Sequence, residues 1–542
     1  MKHRSLLSLA LTGSLLAAGN VHAADDLFLS QQANAKAASA RDLMQLNRLK
    51  ADRKVEALNE GLRARPALKN SKELRLNLMA GVAANAKLKK SYRTTDGSEV
   101  WIGDVQNLSK RAGRNGDEAI LVQRNGLVTG NVRMNGKLFS IRPLSNGDHV
   151  VAKIDESQFP ADHPEGEYAS MFDAVQRQAD RQLNKISASA VGSNNVGIAA
   201  NTTIRLLVNY TQGAAAAVTD INSLIDLAMA ETNQGYVNSG INITMELAAK
   251  SQVTYTESSS ITTDRDRYAG KTDGYMDSIH SQRDSVAADI GVLVLNNDEA
   301  CGIAKAIGAT ESSAFAVVHY DCATGYYSFA HEIGHLQGAR HDPAADPTTT
   351  PYAYGHGYRA PNSAWRTVMA YNCSSGCPRI NYWSNPSRTY SDGQVMGTSS
   401  QSNNARVLNE TAATMAGFRG DTTPPPPSES YSNTADYNIP DNNTTGVQSP
   451  ISVPTSGAAG TVSVDVNIVH PYIGDLIVDL IAPDGSVYNL HNRSGGSADN
   501  IVKSYTVSGA SSEQKNGSWK LRARDRASRD VGYINSWTLR FN

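Results

Sequence analysis

The sequence predicts a multidomain fold: an α+β N-terminal part, a central α/β (α+β) unit and an all-β C-terminal unit. Three observations point there. The chain has 542 residues, enough for three or four folded units. Two stretches interrupt it, a small polar run at 186–202 and a proline run from Pro424 to Pro427 that makes a stiff spacer. The patterning also changes across the second. Strands and helices alternate before it, whereas alternating strands with few helix formers follow it.

Composition excludes some functions. With 51 Lys+Arg against 52 Asp+Glu the formal net charge is −1, so a nucleic-acid partner recruited by bulk charge is ruled out. At 40% hydrophobic the chain can bury several cores, and four Cys are too few for a disulfide scaffold of this size. The near-neutral total conceals a split. Residues 24–200 carry +6, 201–420 carry −6 and 421–542 carry −3. Attraction between the first two is consistent with docking, although solvated faces would give the same numbers.

In chain order, residues 1–23 read as a secretory signal peptide: Lys2, His3 and Arg4, an apolar run from Leu6 to Ala18, then Val21-His22-Ala23 with small residues at the cut. The expectation is a secreted protein from a bacterial host. No later stretch has 18 uninterrupted apolar residues, so no membrane span is expected. From 24 to about 90, Ala, Leu, Lys and Arg recur at helix-like spacing. Strands are expected at Val100-Trp101-Ile102, Ala119 to Val122 and Gly126 to Val128, with Asn-Gly turns at 125–126 and 135–136. Beyond the first linker, Ile204 to Val208 and Ile241 to Leu247 read as strands and Val218 to Tyr236 as an amphipathic helix. Ile290 to Leu295, continuously apolar, reads as a strand buried on both faces.

Residues 331–341 read HEIGHLQGARH. His331 and His335 are four apart, so on a helix both imidazoles point from one face. Glu332, beside the first, is placed to hold and deprotonate a metal-bound water. Gly338 allows the chain to leave the helix with φ > 0 and turn back, bringing His341 to the same point. Three imidazoles plus water form the open tetrahedral arrangement of a catalytic zinc site.

This motif resembles that of the metzincin metalloproteases, H-E-x-x-H-x-x-G-x-x-H. Thr367-Val368-Met369-Ala370-Tyr371 is similar to their Met-turn, in which Met369 would pack beneath the ligands. Tyr371 matches the Met-x-Tyr of astacins and serralysins, which implies an oxyanion-stabilising hydroxyl. Asp342 and Trp383-Ser384-Asn385-Pro386 look like reprolysins, which generally lack that tyrosine. The resemblance covers about 203–419 and implies a mixed twisted sheet with an active-site helix. It also implies a secreted bacterial reprolysin-like zinc endopeptidase acting on protein or peptide substrates. By the same resemblance Ala314 to His319 would be the edge strand on which substrate pairs. The segment from Met369 to Pro386 would line the pocket for the residue after the scissile bond.

Four Cys allow three pairings. Cys301 and Cys322 flank that presumed edge strand and Cys373 and Cys377 close a tight loop, so Cys301–Cys322 with Cys373–Cys377 is favoured. A zinc clip at the CxxxC lacks a second pair. Residues 24–200, ahead of a protease domain at 201–420, read as an α+β propeptide that inhibits its own enzyme. A cysteine switch is excluded because they contain no Cys. Trp101-Ile102-Gly103-Asp104 is similar to the aromatic-x-Gly-Asp of astacin propeptides, whose Asp caps the zinc, with a strand followed by a Gly-Asp turn as the favoured alternative. His280, His319 and His356 read as surface or core residues rather than ligands.

After the linker at 421–430, residues 431–542 resemble the P domain of proprotein convertases, a jelly-roll-type sandwich. The resemblance rests on Gly474 to Gly485 and on Gly517-Ser518-Trp519 through Trp537-Thr538-Leu539. Asp475, Asp479 and Asp484 are candidates for a calcium site or for acids in hairpin turns. Two rivals to a broad zinc endopeptidase stay open: a narrow peptidase for one protein, and an inactive protease-fold adhesion protein.

Overall fold

The computed structural model describes residues 24–29, 37–106, 117–168, 171, 201–419, 429–460 and 462–541. The expected signal peptide at 1–23, nearly all of the first linker and residues 421–428 of the second lie outside the described residues. The chain divides into two compact units, Met1–Gly420 and Asp421–Asn542.

The first unit opens on a ten-stranded sheet. Its seven strands from Glu73–Met79 to His149–Ile154 follow one another as an antiparallel meander, and Val55–Ala64 pairs with the last. Asp25–Asp26 pairs with Glu73–Met79 while Phe28–Leu29 pairs with Val55–Ala64, so one short stretch bridges the two sheet edges. The expected turns form: Asn125 and Gly126 have φ of 50° and 78°, Asn135 and Gly136 54° and 72°, as a two-residue type I′ hairpin requires. The helix expected over 24–90 is confined, among the described residues, to Ala40–Ala51, with Ser39 and Asp42 forming its capping box. Among the described residues, Val55–Ala64, Glu73–Met79 and the stretch from Val82 on are strands, because Leu74, Leu76 and Leu78 alternate into the sheet's core and burial outweighs the helix propensity of Ala, Leu and Lys.

Residues 201–419 form the second part of this unit. The sheet order is Ile243–Gln252, Thr202–Tyr210, Ile290–Leu295, Phe315–His319, Gly302–Ala304, parallel except for the last pair. The edge strand is therefore Gly302–Ala304 and not Ala314 to His319. The short glycine-containing stretch has no strand period of its own and becomes a strand only by pairing. The amphipathic helix runs Ile221–Ser239, started by Asp220, which accepts from Ser223 N. Its Leu227 and Ala230 meet Val100, Ile102, Ile120 and Val122 on the outer face of the N-terminal sheet.

The second unit consists of two antiparallel sheets around one core that includes Trp519 and Trp537. Asp479 is held by Arg522, Arg524 and Asn489, and Asp484 accepts from Ser486, so these carboxylates are taken by protein donors.

Candidate metal centre

The helix carrying the first two histidines spans Ser328–Leu336, and its Phe329, Ala330, Ile333 and Leu336 anchor it in the main core. Gly334 lets it lie against the Met-turn: a Cβ there would come 2.9 Å from the Met369 sulfur and 2.7 Å from the Trp383 ring. Gly338, at φ 96°, sits in the left-handed region and reverses the chain. Just beyond it Arg340 makes a fully buried two-pronged ion pair with Asp346. Asp342 accepts from Tyr371 N at 3.0 Å and pairs with Arg359 at 2.9 Å, fastening the end of the motif to the Met-turn.

His331, His335 and His341 meet, and a fourth imidazole joins them. The Nε2 atoms of His163, His331, His335 and His341 are separated by 3.0 to 3.4 Å along all six edges. A tetrahedron of that size has its centre about 2 Å from each corner, the length of a Zn–N bond. Three of the other ring nitrogens face backbone carbonyls: His331 Nδ1 that of Val368 at 2.9 Å, His335 Nδ1 that of Ala339 at 2.9 Å, His163 Nδ1 that of Gly302 at 3.1 Å. A proton on each of these Nδ1 atoms leaves the Nε2 lone pairs converging on one point. Lone pairs so placed repel unless a cation lies between them, and among the described residues this is the group that could hold a metal. Burial keeps all four rings neutral, lowering His163 to about 4 and the other three well below the usual histidine range.

Glu332 is buried beside this cluster, 3.8 Å from His163 Nδ1, and burial first and Asp162 second push it well above the usual carboxylate range. It faces Gly302, where a Cβ would stand 2.8 Å from Glu332 Cγ. The Tyr371 ring lies 4.0 Å from that of His341. Met369 is fully buried under the helix. Cys301–Cys322 and Cys373–Cys377 are disulfide-bonded. His280, His319 and His356 stand outside the cluster.

Sequence reasoning did not find His163, which lies in the run from the N-terminal sheet to the first linker. An Asp-His-Pro triplet there was the available signal. The side chain of its neighbour Asp162 is only 8% exposed, with both oxygens 2.8 Å from Arg379 and one 4.0 Å from Arg366. Burial alone would raise Asp162, but the charges of Arg379 and Arg366 outweigh it and hold the carboxyl below its ordinary range. Both guanidiniums are fully buried around Tyr326: Arg366 donates to its hydroxyl at 2.9 Å and Arg379 to its carbonyl at 3.1 Å. Ala161 and Asp162 accept from Cys301 N and Gly302 N at 2.8 and 3.2 Å, so this run lies along the edge strand. Tyr168 stacks on His341 at 3.9 Å. Asp104 is elsewhere: it lies in the strand Glu99–Gln106, exposed and paired with Lys89 at 2.8 Å, with neither a turn nor a metal cap.

A partly parallel sheet with an antiparallel edge, over which one helix and a reversed chain deliver buried imidazoles beside a carboxylate, defines a metallopeptidase. Residues 200–384 match Metallo-peptidase family M12, and 459–541 match the proprotein convertase P-domain. The chain is 49% identical over 359 residues to a peptidyl-Asp metalloendopeptidase of Stenotrophomonas maltophilia, covering 63% of this chain and 82% of that one. To another of that description from Xanthomonas campestris it is 44% identical over 426 residues, covering 76% and 97%. With leupeptin-inactivating enzyme 1 of Streptomyces exfoliatus it shares 63% identity over 121 residues, 22% and 27% of the two chains. The chain belongs to this family of bacterial M12 metalloendopeptidases and carries a C-terminal P domain. Among the described residues no helix is long and apolar enough to cross a membrane.

Proposed function

We propose that the protein is an exported zinc endopeptidase, made as a latent precursor, that cleaves before aspartate. The observation carrying this is the convergence of three motif imidazoles beside Glu332. In this reading His331, His335 and His341 hold the metal, and residues 24–200 are the propeptide. Zinc there supplies a Lewis acid for activating water and polarising the scissile carbonyl. Glu332 takes the proton of the attacking water and returns it to the leaving amine. The Tyr371 hydroxyl donates to the developing oxyanion. Substrate backbone pairs with the edge strand Gly302–Ala304.

Preference for aspartate is supported by the relatives' description and by Arg366 and Arg379. Both lie beside the Met-turn, buried, with few carboxylates to oppose them. The processed protein should digest casein, and a chelator or Glu332→Ala should remove activity, the latter by about 10² to 10⁴-fold. Activity surviving both would overturn the zinc mechanism. A peptide with Asp after the cleaved bond should exceed its Asn twin in kcat/KM by at least about tenfold, since a hydrogen bond to a charged group contributes roughly 1.5–3 kcal/mol. Equal cleavage of the two would refute aspartate selectivity alone.

A further inference from the structure

We infer that Asp162-His163 is the latency element of the precursor. His163 takes the fourth metal position and Asp162 takes the acid-recognition site that a substrate aspartate occupies after processing. This rests on the zinc and aspartate readings above and adds which residues keep the precursor shut.

Three independent contacts converge on this dipeptide. First, His163 Nε2 stands 3.0 to 3.4 Å from the three motif nitrogens and completes their tetrahedron, leaving no corner for water. A metal with four imidazoles is the closed arrangement of structural sites, whereas catalysis needs one open position. Second, Asp162 is the acid that neutralises the buried Arg379 and approaches Arg366. A buried cation stripped of its partner is strongly unfavourable, so a carboxylate is demanded at this place, from either the chain itself or a substrate. Third, Ala161 and Asp162 hydrogen-bond to Cys301 and Gly302 along the edge strand, the backbone track expected for substrate. One tripeptide thus fills the strand track, the acid site and the metal position together. The cover is fixed from above, where Tyr168 stacks on His341 and donates to Asp346 at 2.9 Å.

The test uses the full-length chain with Glu332→Ala, which prevents self-cleavage, loaded with cobalt(II). Its visible bands report the ligand set, and a chelator reports how tightly the ion is held. With His163 present the bands should be those of a four-nitrogen tetrahedral site. His163→Ala should shift them as water enters, and metal should leave at least about tenfold faster, the lower range for disturbing even an outer partner of a ligand. Should the alanine variant fail to fold, His163→Asn and Asp162→Asn serve in its place. The first should shift the bands, and the second should speed metal loss by weakening the hold of Arg379. With Glu332 restored, each variant precursor should cleave casein before processing, while the unaltered precursor should not. Identical bands and release rates with and without His163 would overturn the inference while leaving the zinc reading intact. Failure of the unaltered site to take cobalt at all would instead sink the zinc reading.

Discussion

The N-terminal sheet and the C-terminal sandwich are both antiparallel and similar in strand number, yet they use their faces differently. In the sandwich, Val462–Val469 and Gly517–Asp525 alternate buried and part-exposed residues, one face on the core and one toward solvent. In the N-terminal sheet, Glu118–Arg124 is buried except at its last residue, and Leu127–Met134 and Lys137–Pro143 except at their first. The second face of these strands is committed to residues 201–419. That commitment is polar as well as apolar: Arg133 donates to Gly325 O at 3.0 Å, Asn131 to Glu231 at 2.7 Å, and Asn381 to Glu118 at 2.9 Å. Nor is it simple attraction of a basic segment to an acidic one. Lys54–Asp321 and Arg124–Asp220 cross with one polarity, Asp96–Lys250 and Asp162–Arg379 with the other. The lesson is that a sheet buried on both faces with charges inside its second interface is held by specific partners, and loses much when any one is removed.

The largest expected effect breaks the comparison at its charged groups. Arg133 is buried and bonded to Glu156 by two nitrogens at 2.8 and 3.0 Å. Arg133→Ala should destabilise the first unit by roughly 3–5 kcal/mol, because Glu156 is left without its partner. Arg522→Ala in the sandwich should cost about 1 kcal/mol or less, since its side chain is part-exposed and Arg524 still holds Asp479. Urea unfolding of both variants in the Glu332→Ala chain measures this; equal costs would erase the distinction.

A middle-sized effect concerns pH. Burial pushes Glu231 up to about 7, with Glu118 nearby adding to it and Asn131, Gly325 N and Arg142 opposing. An acid that keeps its proton when folded contributes stability below the ordinary carboxyl range and loses it as pH rises through about 7. His149, inside the N-terminal sheet, is lowered by burial to about 4, so its contribution is present above about 6.5 and lost as pH falls toward 4. Between about 4.5 and 6.5 the two contributions change in opposite directions and largely offset one another. Glu231→Gln should remove a fall of at most about 1.4 kcal/mol per pH unit between the ordinary carboxyl range and about 7, leaving the rise due to His149 unopposed there. A Glu231→Gln variant whose urea midpoint follows the parent's pH dependence from pH 5 to 7 would contradict this role for Glu231.

The smallest effect sharpens the contrast within the sheet itself. Asp104→Ala removes only an exposed pair with Lys89, so stability should change by less than about 1 kcal/mol and precursor latency not at all. Casein cleavage by the unprocessed variant would restore the astacin-like role that Asp104 resembles in sequence.

Part of this protein is legible from its residues in order. Local chemistry determined the three motif histidines and Glu332, because a helix repeats every 3.6 residues and one left-handed glycine returns His341 to the same place. It likewise determined the two Asn-Gly hairpins and the apolar strand Ile290–Leu295. The edge strand, the strands between residues 55 and 93, and the fourth imidazole were decided by tertiary structure alone. Gly302–Ala304 carries no period of its own, and the alanines and lysines near residue 85 favour a helix until sheet pairing claims them. His163 is 168 residues from His331 in sequence and contacts it because the N-terminal sheet packs its second face against the enzyme region. A contact of that range leaves no spacing to read, since nothing local constrains where the two residues fall in the chain.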